Sequence, residues 1–225
     1  MLSVNGITKR YGERMGVRNI QFSCGSGEII SVIGPNGSGK STLLRIIAGT
    51  LKVDAGSVLL DGHDAKETDV KRATGYMPDS MELARGLTVR NFFHMISDYK
   101  YGGKYKEEFE KAMKEFGLSS CEHTAFDRLS MGNQKKVSMI AALTGNPRLV
   151  ILDEPTNGVD TSGILVLKQY IRETKKRGSI VLVSSHMLDF AESIADTAVF
   201  LKNGEIAATE KNRGQWENVY RRLYL

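Results

Sequence analysis

Three short apolar runs rich in isoleucine and valine mark the strands of a predicted core. They span residues 29–33, 149–152 and 180–183, which read IISVI, LVIL and IVLV. Runs this short that lack polar alternation are typical of strands buried on both faces, as in a parallel sheet covered by helices. The pattern therefore predicts an α/β fold with a mostly parallel sheet.

A different pattern, in which apolar and polar residues alternate, predicts a small antiparallel layer that flanks this sheet. Residues 2–8 and 17–23 show the alternation, which is typical of strands with one buried face. Residues 202–205 read KNGE, and Asn-Gly between two extended segments favours a two-residue hairpin turn.

Helical spacing replaces both strand patterns in the middle of the chain. Between Thr88 and Asn146, apolar side chains recur three or four positions apart. We interpret residues about 80–146 as a helical lobe inserted into a core lobe of about 1–79 and 147–225, all in a single domain. The residues that carry the helical spacing are Phe92, Phe93 and Ile96, followed by Phe109, Met113 and Phe116.

The composition sets few limits on function. The chain has 225 residues, of which 41% are hydrophobic, and its formal net charge is +5 with the basic residues scattered. A positive charge this small is most often just a solvated surface, but it could also favour the anionic inner face of a membrane or, less readily, a nucleic acid, so charge alone does not decide. No nucleic-acid partner is expected, since dedicated nucleic-acid binders usually show a denser basic stripe. Two distant cysteines form neither a disulfide framework nor a zinc motif. No apolar stretch reaches the ~18 residues of a membrane span, so we expect a cytoplasmic chain unless a partner holds it at a membrane.

The strongest chemical signal is the segment GPNGSGKST at residues 34–42, which matches G-x-x-x-x-G-K-[ST] between a predicted strand and a helical run. Its glycines let backbone N–H groups point at phosphate oxygens, and the helix adds its N-terminal dipole. Lys40 is expected to reach the β- and γ-phosphates of a nucleotide, and Ser41 to bind Mg²⁺. The alternative is a glycine-rich turn without a ligand. The predicted nucleotide site comprises Gly34, Pro35, Asn36, Gly37, Ser38, Gly39, Lys40, Ser41 and Thr42.

Three polar residues at strand ends complete a candidate hydrolytic site. Asp153 and Glu154 follow one apolar run, and His186 follows another. Ligands bind at the carboxyl ends of parallel strands. We therefore expect Asp153 to hold the metal ion through water, Glu154 to act as general base toward an attacking water, and His186 to reach the γ-phosphate. Each of the three could instead be a structural or solvent-facing strand end.

The segment LSMGNQKK at residues 129–136 begins another predicted helix. Ser130 is a good N-cap, and the free N–H groups of a helix N-terminus favour an anion. The residues alone leave open whether this segment caps a helix or forms part of a phosphate site. Similarly, Tyr11 taken alone is best explained as a surface aromatic.

In their order along the chain, these motifs resemble the nucleotide-binding subunit of ATP-binding cassette (ABC) transporters, and the likeness covers nearly the whole chain. The resemblance implies a P-loop NTPase core, ATP hydrolysis with Mg²⁺, and stacking of Tyr11 on adenine. It also implies that residues 157–160 form a D-loop that contains Asp160, and that His186 is the switch histidine.

The resemblance further implies that one chain cannot complete the site. LSMGNQKK stands where the family has LSGGQ, whose serine and glycine contact the γ-phosphate of ATP on the other subunit. Ser130, Gly132 and Asn133 are therefore expected to act in trans. Two nucleotide-binding subunits, identical or different, would meet head to tail around two ATP molecules and separate after hydrolysis.

Two departures from the family pattern affect how the family's residue roles apply to this sequence. Asp79 in GYMPD stands where the family usually has glutamine. A carboxylate can still bind Mg²⁺, so we expect Asp79 to join Ser41 and Asp153 as a metal ligand, but it adds negative charge beside the triphosphate. Met131 replaces a signature glycine, and ordinary helical or extended backbone is expected there because positive φ would strain methionine.

The leading hypothesis is an ATPase subunit that powers a separate integral membrane permease of exporter type, held at the inner face of the cell membrane by that permease. Docking is expected through the helical lobe near Asp79 to His94. The alternative hypothesis is a soluble ABC-type ATPase acting on nucleic acid or ribosomes. Such proteins usually carry two cassettes or a long coiled-coil insertion, and this sequence shows neither. The apolar residues that either contact the permease or, as is more usual, form lobe core are Leu83, Leu87, Val89, Phe92 and Phe93.

Overall fold

The computed structural model describes residues 1–79 and 86–225. Its strands are β1 (Leu2–Tyr11), β2 (Arg14–Cys24), β3 (Ile29–Ile33), β4 (Ala55–Leu60), β5 (His63–Asp64), β6 (Thr74–Met77), β7 (Leu149–Leu152), β8 (Ile180–Ser185), β9 (Thr197–Lys202) and β10 (Glu205–Lys211). Its helices are α1 (Lys40–Ile47), α2 (Thr68–Arg72), α3 (Val89–Tyr101), α4 (Lys106–Glu115), α5 (Met131–Leu143), α6 (Thr161–Lys176), α7 (Leu188–Ile194) and α8 (Trp216–Tyr224).

The main sheet has six strands in the order β10-β9-β3-β8-β7-β6. Its strands run parallel except for β10, which pairs antiparallel with β9 at the edge. Every residue of β3, β7 and β8 is buried, which confirms the three apolar runs as central strands. Asn203 and Gly204 join β9 to β10 and both have positive φ, as the predicted two-residue hairpin turn requires.

Each face of the main sheet packs into its own hydrophobic core. Because successive side chains of a strand point to opposite faces, Ile29 and Ile33 pack with α3 to α7, whereas Ile30 and Val32 pack with α1, β1 and β2. β7 and β8 show the same alternation. Helix α1 therefore lies on one face of the main sheet, and the larger set of helices covers the other.

The predicted antiparallel layer is confirmed as a second sheet in the order β2-β1-β4-β5. Its first two strands pair from Leu2 opposite Cys24 to Tyr11 opposite Arg14, with three register shifts. Both strands are longer than the sequence alternation indicated, because their ends extend past the buried core to the turn that joins them. That turn brings Tyr11 toward the start of α1.

The helices between β6 and β7 pack around phenylalanine rings. The rings of Phe93 and Phe109 stack with their centroids 5.0 Å apart, and those of Phe92 and Phe126 lie 6.0 Å apart. These contacts join α3, α4 and the turn before α5 into one apolar cluster that also contains residues of the main sheet. The helical spacing in the sequence therefore indicated buried contacts correctly.

Of the apolar residues considered for permease docking, three belong to this core. Val89, Phe92 and Phe93 are at most 4% exposed, so they are not available to a partner. Leu87 is half-buried, and Leu83 lies outside the described residues. Across residues 1–79 and 86–225, no helix has the length and apolar character needed to cross a bilayer.

Candidate active site

A cavity of about 940 Å³ opens at the carboxyl end of the parallel strands. The loop between β3 and α1 forms its floor, and Asp79, Glu154 and His186 reach it from the ends of β6, β7 and β8. Tyr11 lines it from the β1–β2 turn. The parallel topology therefore brings together side chains that are far apart in the sequence. The loop residues in its wall are Pro35, Asn36, Gly37, Gly39, Lys40, Ser41 and Thr42.

The loop geometry suits an anion. Gly39 has a φ of 106°, and a Cβ there would lie 2.6 Å from Gly16 O, so no other residue fits without a shift. Gly39 is also the N-cap of α1 and supplies no side-chain cap, which leaves the first N–H groups of the helix to a ligand. The buried Ser38 Oγ has no hydrogen-bond partner within the described chain. These features fit a phosphate group.

Lys40 supplies the positive charge of the loop. Its side chain is only 7% exposed, and Nζ donates to Gly34 O at 2.8 Å and to Pro35 O at 3.3 Å. Nζ also lies 3.5 Å from Glu154 Oε1. The lysine is therefore fixed between the phosphate loop and the acidic end of β7.

Glu154 and His186 are direct neighbours. His186 Nδ1 lies 2.8 Å from Glu154 Oε2, and the backbone N–H of His186 donates to the same oxygen at 3.3 Å. Glu154 is buried and has a φ of 47°, in a region that residues other than glycine rarely adopt. Such strain is typical of sites where position matters more than stability.

The Asp153 carboxylate is hydrogen-bonded to a buried serine of β8. Ser184 Oγ donates to Asp153 Oδ1 at 2.6 Å and accepts from Glu154 N at 2.8 Å. Burial raises the pKa of Asp153, hydrogen bonds from Ser184 and Ser41 lower it, and the charges of Asp79 and Glu154 raise it further, with burial the largest effect. A cation would therefore be favoured beside this carboxylate.

The oxygen ligands proposed for Mg²⁺ are of the right chemical type. Ser41 and Asp79 are both close enough to Asp153 to influence the pKa of its carboxyl group. Within the described residues no group of three or more His, Cys, Asp or Glu side chains forms a cage for a metal. This composition suits Mg²⁺, which is commonly held by one or two carboxylates together with substrate phosphates.

Asp79 carries a contact that the sequence did not indicate. Its side chain is 52% exposed, and Oδ1 lies 3.0 Å from Nζ of the buried Lys135. The same Nζ donates to Glu154 O at 3.1 Å. The acid at this position is therefore paired with a cation from α5.

The N-terminus of α5 lies apart from the cavity of the same chain. Ser130 Oγ accepts from Asn133 N at 3.3 Å, which confirms the predicted N-cap. Met131 is helical and 67% exposed, in agreement with the expected ordinary backbone. Ser130, Gly132 and Asn133 are all described residues, and none of them lines the cavity.

The predicted D-loop, residues 157–160, packs against this helix start. A Cβ on Gly132 would lie 2.6 Å from Gly158 O, so the two segments touch through their backbones. Asp160 caps α6 by accepting from Gly163 N at 2.9 Å, and its Oδ1 also lies 3.0 Å from Lys136 Nζ. The Lys136 hydrogen bond lowers the pKa of Asp160.

Sequence reasoning missed several contributors to the site. Arg14 and Arg45 line the cavity, and their closeness in sequence to Tyr11 and to the phosphate loop could have indicated this. Asn157, the first residue of the predicted D-loop, lines it as well. Ser184 could have been suspected from its place before His186. Tyr220 of α8 also lines the cavity, but nothing in the sequence near it pointed there.

A glycine-rich phosphate loop between a strand and a helix, with acidic residues at the ends of neighbouring parallel strands, defines the class of P-loop nucleotide hydrolases. Comparison with known proteins makes the assignment specific. The family model described as ABC transporter matches residues 17–157. The chain belongs to the ABC transporter family, as an ATP-binding subunit with ATPase activity.

Similar proteins support this assignment over nearly the full chain. The SkfA peptide export ATP-binding protein SkfE of Bacillus subtilis (strain 168) is 30% identical over 208 residues, covering 92% of this chain and 87% of SkfE. The phosphonates import ATP-binding protein PhnC 2 of Oceanobacillus iheyensis is 33% identical over 224 residues, covering 92% of this chain and 88% of PhnC 2.

A solved ABC transporter cassette shares the fold. The dimeric structure of the bacterial cassette MJ0796 has a TM-score of 0.86 at 27% identity, covering 95% of this chain and 100% of that one. The same cassette was also solved as a dimer in a post-hydrolysis state bound to ADP and Pi. The predicted fold class and the predicted ATPase activity are thus confirmed.

Proposed function

We propose that this chain binds ATP with Mg²⁺ in the cavity at the end of the parallel sheet, and that hydrolysis there powers a separate membrane permease. One observation carries the proposal. The phosphate loop, Glu154 and His186 meet in one cavity with Asp153 directly behind them, whereas Ser130 lies outside it on the start of another helix. The cavity thus contains the residues assigned to phosphate binding and to general-base catalysis, and a second subunit would supply Ser130.

We assign nucleotide binding to the turn between β1 and β2 and to the phosphate loop. Tyr11 is 44% exposed at the edge of the cavity, and we assign its ring to stacking on adenine. The N–H groups of residues 37–42 and the ammonium of Lys40 bind the phosphates, because a charge-assisted hydrogen bond in a buried site is stronger than a neutral one.

Ser41, Asp153 and Asp79 are the residues that would hold Mg²⁺. When bound, the ion neutralises phosphate charge and polarises the phosphoryl group. The chain's own contribution is that Ser184 and Ser41 lower the pKa of Asp153 and so oppose burial, which raises it by more. Ser184 also holds the backbone of Glu154, so the metal ligand and the base share one support.

Glu154 is the residue we assign to general-base catalysis. Its carboxylate is held by Lys40 on one side and His186 on the other, which fixes both oxygens within the cavity. The carboxylate orients a water molecule and takes up its proton. His186, with its side chain 53% exposed at the mouth of the cavity, is assigned to the γ-phosphate.

The second half of each site is proposed to come from another cassette. Ser130, Gly132 and Asn133 lie at the N-terminus of α5. The Asn133 N–H donates to Ser130 Oγ, and the N–H groups that precede it at the helix start favour an anion. The dimeric arrangement of MJ0796 supports this proposal for the related chain. Two ATP molecules would then bridge two subunits, and loss of the γ-phosphate would weaken the bridge.

Substitution of Glu154 by glutamine tests this proposal. The change keeps the size of the side chain but removes the base, so hydrolysis should fall by at least about a hundredfold while ATP still binds. Dimers should therefore accumulate at saturating MgATP and be visible by size-exclusion chromatography with light scattering. Lys40→Ala, which weakens binding itself, serves as the control that stays monomeric. A Glu154→Gln chain that also stays monomeric would contradict the proposed ATP-bridged dimer.

The permease partner is proposed to dock on the helical region near Asp79 to His94. The exposed side chains of Met95 and Tyr99 on α3, which are 49% and 65% exposed, lie next to that segment. Residues 80–85 of the expected docking segment lie outside the described residues. With its permease, the chain would lie at the inner face of the cell membrane.

Affinity purification from detergent-solubilised membranes tests for this partner. A polytopic membrane protein should co-purify with the tagged chain, and Met95→Glu with Tyr99→Glu should reduce its recovery. Recovery of ribosomes or nucleic acid instead would favour the soluble ATPase hypothesis. Of the two transport relatives, SkfE is named for export and PhnC 2 for import. We propose export, and vesicles containing the purified complex can show the direction.

A further inference from the structure

Lys135 connects two parts of the active site that no sequence motif links. Its side chain is 9% exposed, its Nζ lies 3.0 Å from Asp79 Oδ1, and the same atom donates to Glu154 O at 3.1 Å. Asp79 follows β6, Glu154 follows β7, and Lys135 lies near the start of α5. A single ammonium group therefore joins three elements around the cavity.

The first contact concerns charge. Asp79 lines the cavity and brings a negative charge next to the place proposed for the triphosphate. An ammonium 3.0 Å away offsets that charge, and because the lysine is buried the pair is screened less than one in open water. Asp79 itself is half-exposed, which reduces the interaction but leaves the pair neutral in sum. The pair can thus stand in for the uncharged glutamine that the family pattern has at position 79.

The second contact concerns geometry. Glu154 has its backbone in the left-handed region, which costs energy for a residue with a Cβ. Its N–H donates to Ser184 Oγ, and its C=O accepts from Lys135 Nζ at 3.1 Å and from Asn157 N at 3.3 Å. Lys135 thus supplies the shorter of the two hydrogen bonds to this carbonyl, and the direction of the Glu154 carboxylate depends on how the backbone is held.

The next residue along the helix is engaged elsewhere. Lys136 Nζ lies 3.0 Å from Asp160 Oδ1, on a different side of α5, because successive helical residues lie roughly 100° apart. Lys136 therefore does not duplicate the contacts of Lys135.

We propose that Lys135 is a positioning residue of the ATPase site with two separable actions. It offsets the charge of Asp79, which permits tight binding of the triphosphate, and it holds the backbone of Glu154, which permits fast hydrolysis. The inference rests on the proposed assignment of this cavity as the ATP site and of Glu154 as its base.

The test uses the full chain and four variants: Lys135→Met, Asp79→Asn, the two combined, and Lys135→Arg. Methionine matches the length of lysine without its charge, and asparagine matches aspartate. The affinity for a fluorescent ATP analogue is measured in EDTA, so that Mg²⁺ does not contribute. The kcat for phosphate release is measured at saturating MgATP.

The two actions predict different responses. Lys135→Met should weaken nucleotide binding about tenfold, because Asp79 is left as an uncompensated anion. Adding Asp79→Asn should restore binding to within about threefold of the original chain. In both of these variants kcat should remain about tenfold low, because Glu154 O keeps only the longer hydrogen bond from Asn157 N and has lost its side-chain donor. Lys135→Arg keeps the charge and should retain the affinity.

Each action can be overturned separately. If the double variant binds no better than Lys135→Met, the charge argument is wrong. If Lys135→Met keeps the original kcat, the positioning argument is wrong. Lys135→Gln replaces Lys135→Met in both comparisons if the methionine variant is insoluble. Failure of the proposed ATPase function would look different, since the original chain itself would then neither bind the analogue nor release phosphate.

A second lysine provides the matched control. Lys100 of α3 is half-buried, donates to Thr74 O, and is not among the residues that line the cavity. Lys100→Met removes a lysine that bonds a backbone carbonyl, as Lys135→Met does. Lys100→Met should change neither the nucleotide affinity nor kcat. It therefore separates a general effect of losing a lysine that bonds a carbonyl from the specific role proposed for Lys135.

Discussion

Replacement of Ser184 by alanine should destabilise the protein more than so small a change in side-chain volume suggests. The Ser184 hydroxyl is fully buried, donates to the Asp153 carboxylate, and accepts from the backbone N–H of Glu154. Alanine removes both contacts at once. Ser184 is 0% and Asp153 2% exposed, so two buried polar groups lose a partner.

The size of the effect follows from those two groups. A hydrogen bond to a charged group contributes about 1.5–3 kcal/mol, and an orphaned buried N–H costs about 1–3 kcal/mol. Since the two contacts share one atom and are not additive, we expect a loss of about 3 kcal/mol in the free energy of unfolding. For a chain of this length that corresponds to a fall in Tm of roughly 6 °C.

Thermal unfolding followed by circular dichroism measures this loss, with Ser185→Ala as the matched control. Ser185 is equally buried, but its Oγ contacts only the backbone of Met187. The control should therefore lose only about 1 kcal/mol. A Ser184→Ala chain no less stable than Ser185→Ala would refute the reasoning.

The pH dependence supplies a second check on Ser184→Ala. Burial already raises the pKa of Asp153, and the Ser184 hydrogen bond lowers it, so removal of the serine raises it further. A protonated Asp153 no longer needs the donor. The loss of stability should therefore shrink as the pH falls through the raised pKa of Asp153, at a pH above the ordinary carboxyl value, while that of Ser185→Ala stays constant.

Three further substitutions probe other parts of the site. Lys40→Ala should weaken ATP binding about ten- to a hundredfold, measured by calorimetry, because a buried phosphate loses its charged partner; unchanged affinity would contradict the assignment of the loop. Gly132→Ala should cost about 1–3 kcal/mol in chemical denaturation, since its Cβ would lie 2.6 Å from Gly158 O. Met131→Ala, at the exposed neighbouring position, is the control and should be nearly neutral. Equal losses of stability in the two variants would contradict the close packing of Gly132 against Gly158. Asp79→Gln should alter the dependence of the ATPase rate on Mg²⁺, and an unchanged titration curve would refute a role for Asp79 near the metal.

The sequence predicted those features of the fold that depend on local pattern. The runs at 29–33, 149–152 and 180–183 were recognisable because burial on both faces removes all polar alternation. The phosphate loop was recognisable because its geometry requires glycine at fixed positions of the motif. Gly39, for example, has a backbone conformation and a close contact that only glycine accommodates without a shift. By contrast, the short strand β6 gave no signal, since TGYM has neither alternation nor an apolar run.

Contacts between distant segments could not be predicted in the same way. Lys135 and Asp79 are 56 positions apart, and only the packing of α5 against the end of β6 brings them together. The same is true of Tyr220, which reaches the cavity because α8 folds back over the sheet. The family pattern supplied the expectation for Ser130 in trans, which no contact within one chain could supply.

The central claim is that each ATP site is completed by a second subunit, and mixing of two inactive variants tests it most directly. Lys40→Ala disables the phosphate loop, and Ser130→Glu places a negative charge at the helix start that faces the γ-phosphate. Either variant alone should have little ATPase activity. A dimer of one with the other contains one site in which both parts are intact.

Phosphate release from the mixture therefore decides the claim. Random pairing of equal amounts should recover about a quarter of the original rate, because half of the dimers are mixed and each has one intact site of two. A mixture no more active than the average of the two variants alone would show that Ser130 serves the site of its own chain, and would contradict the account.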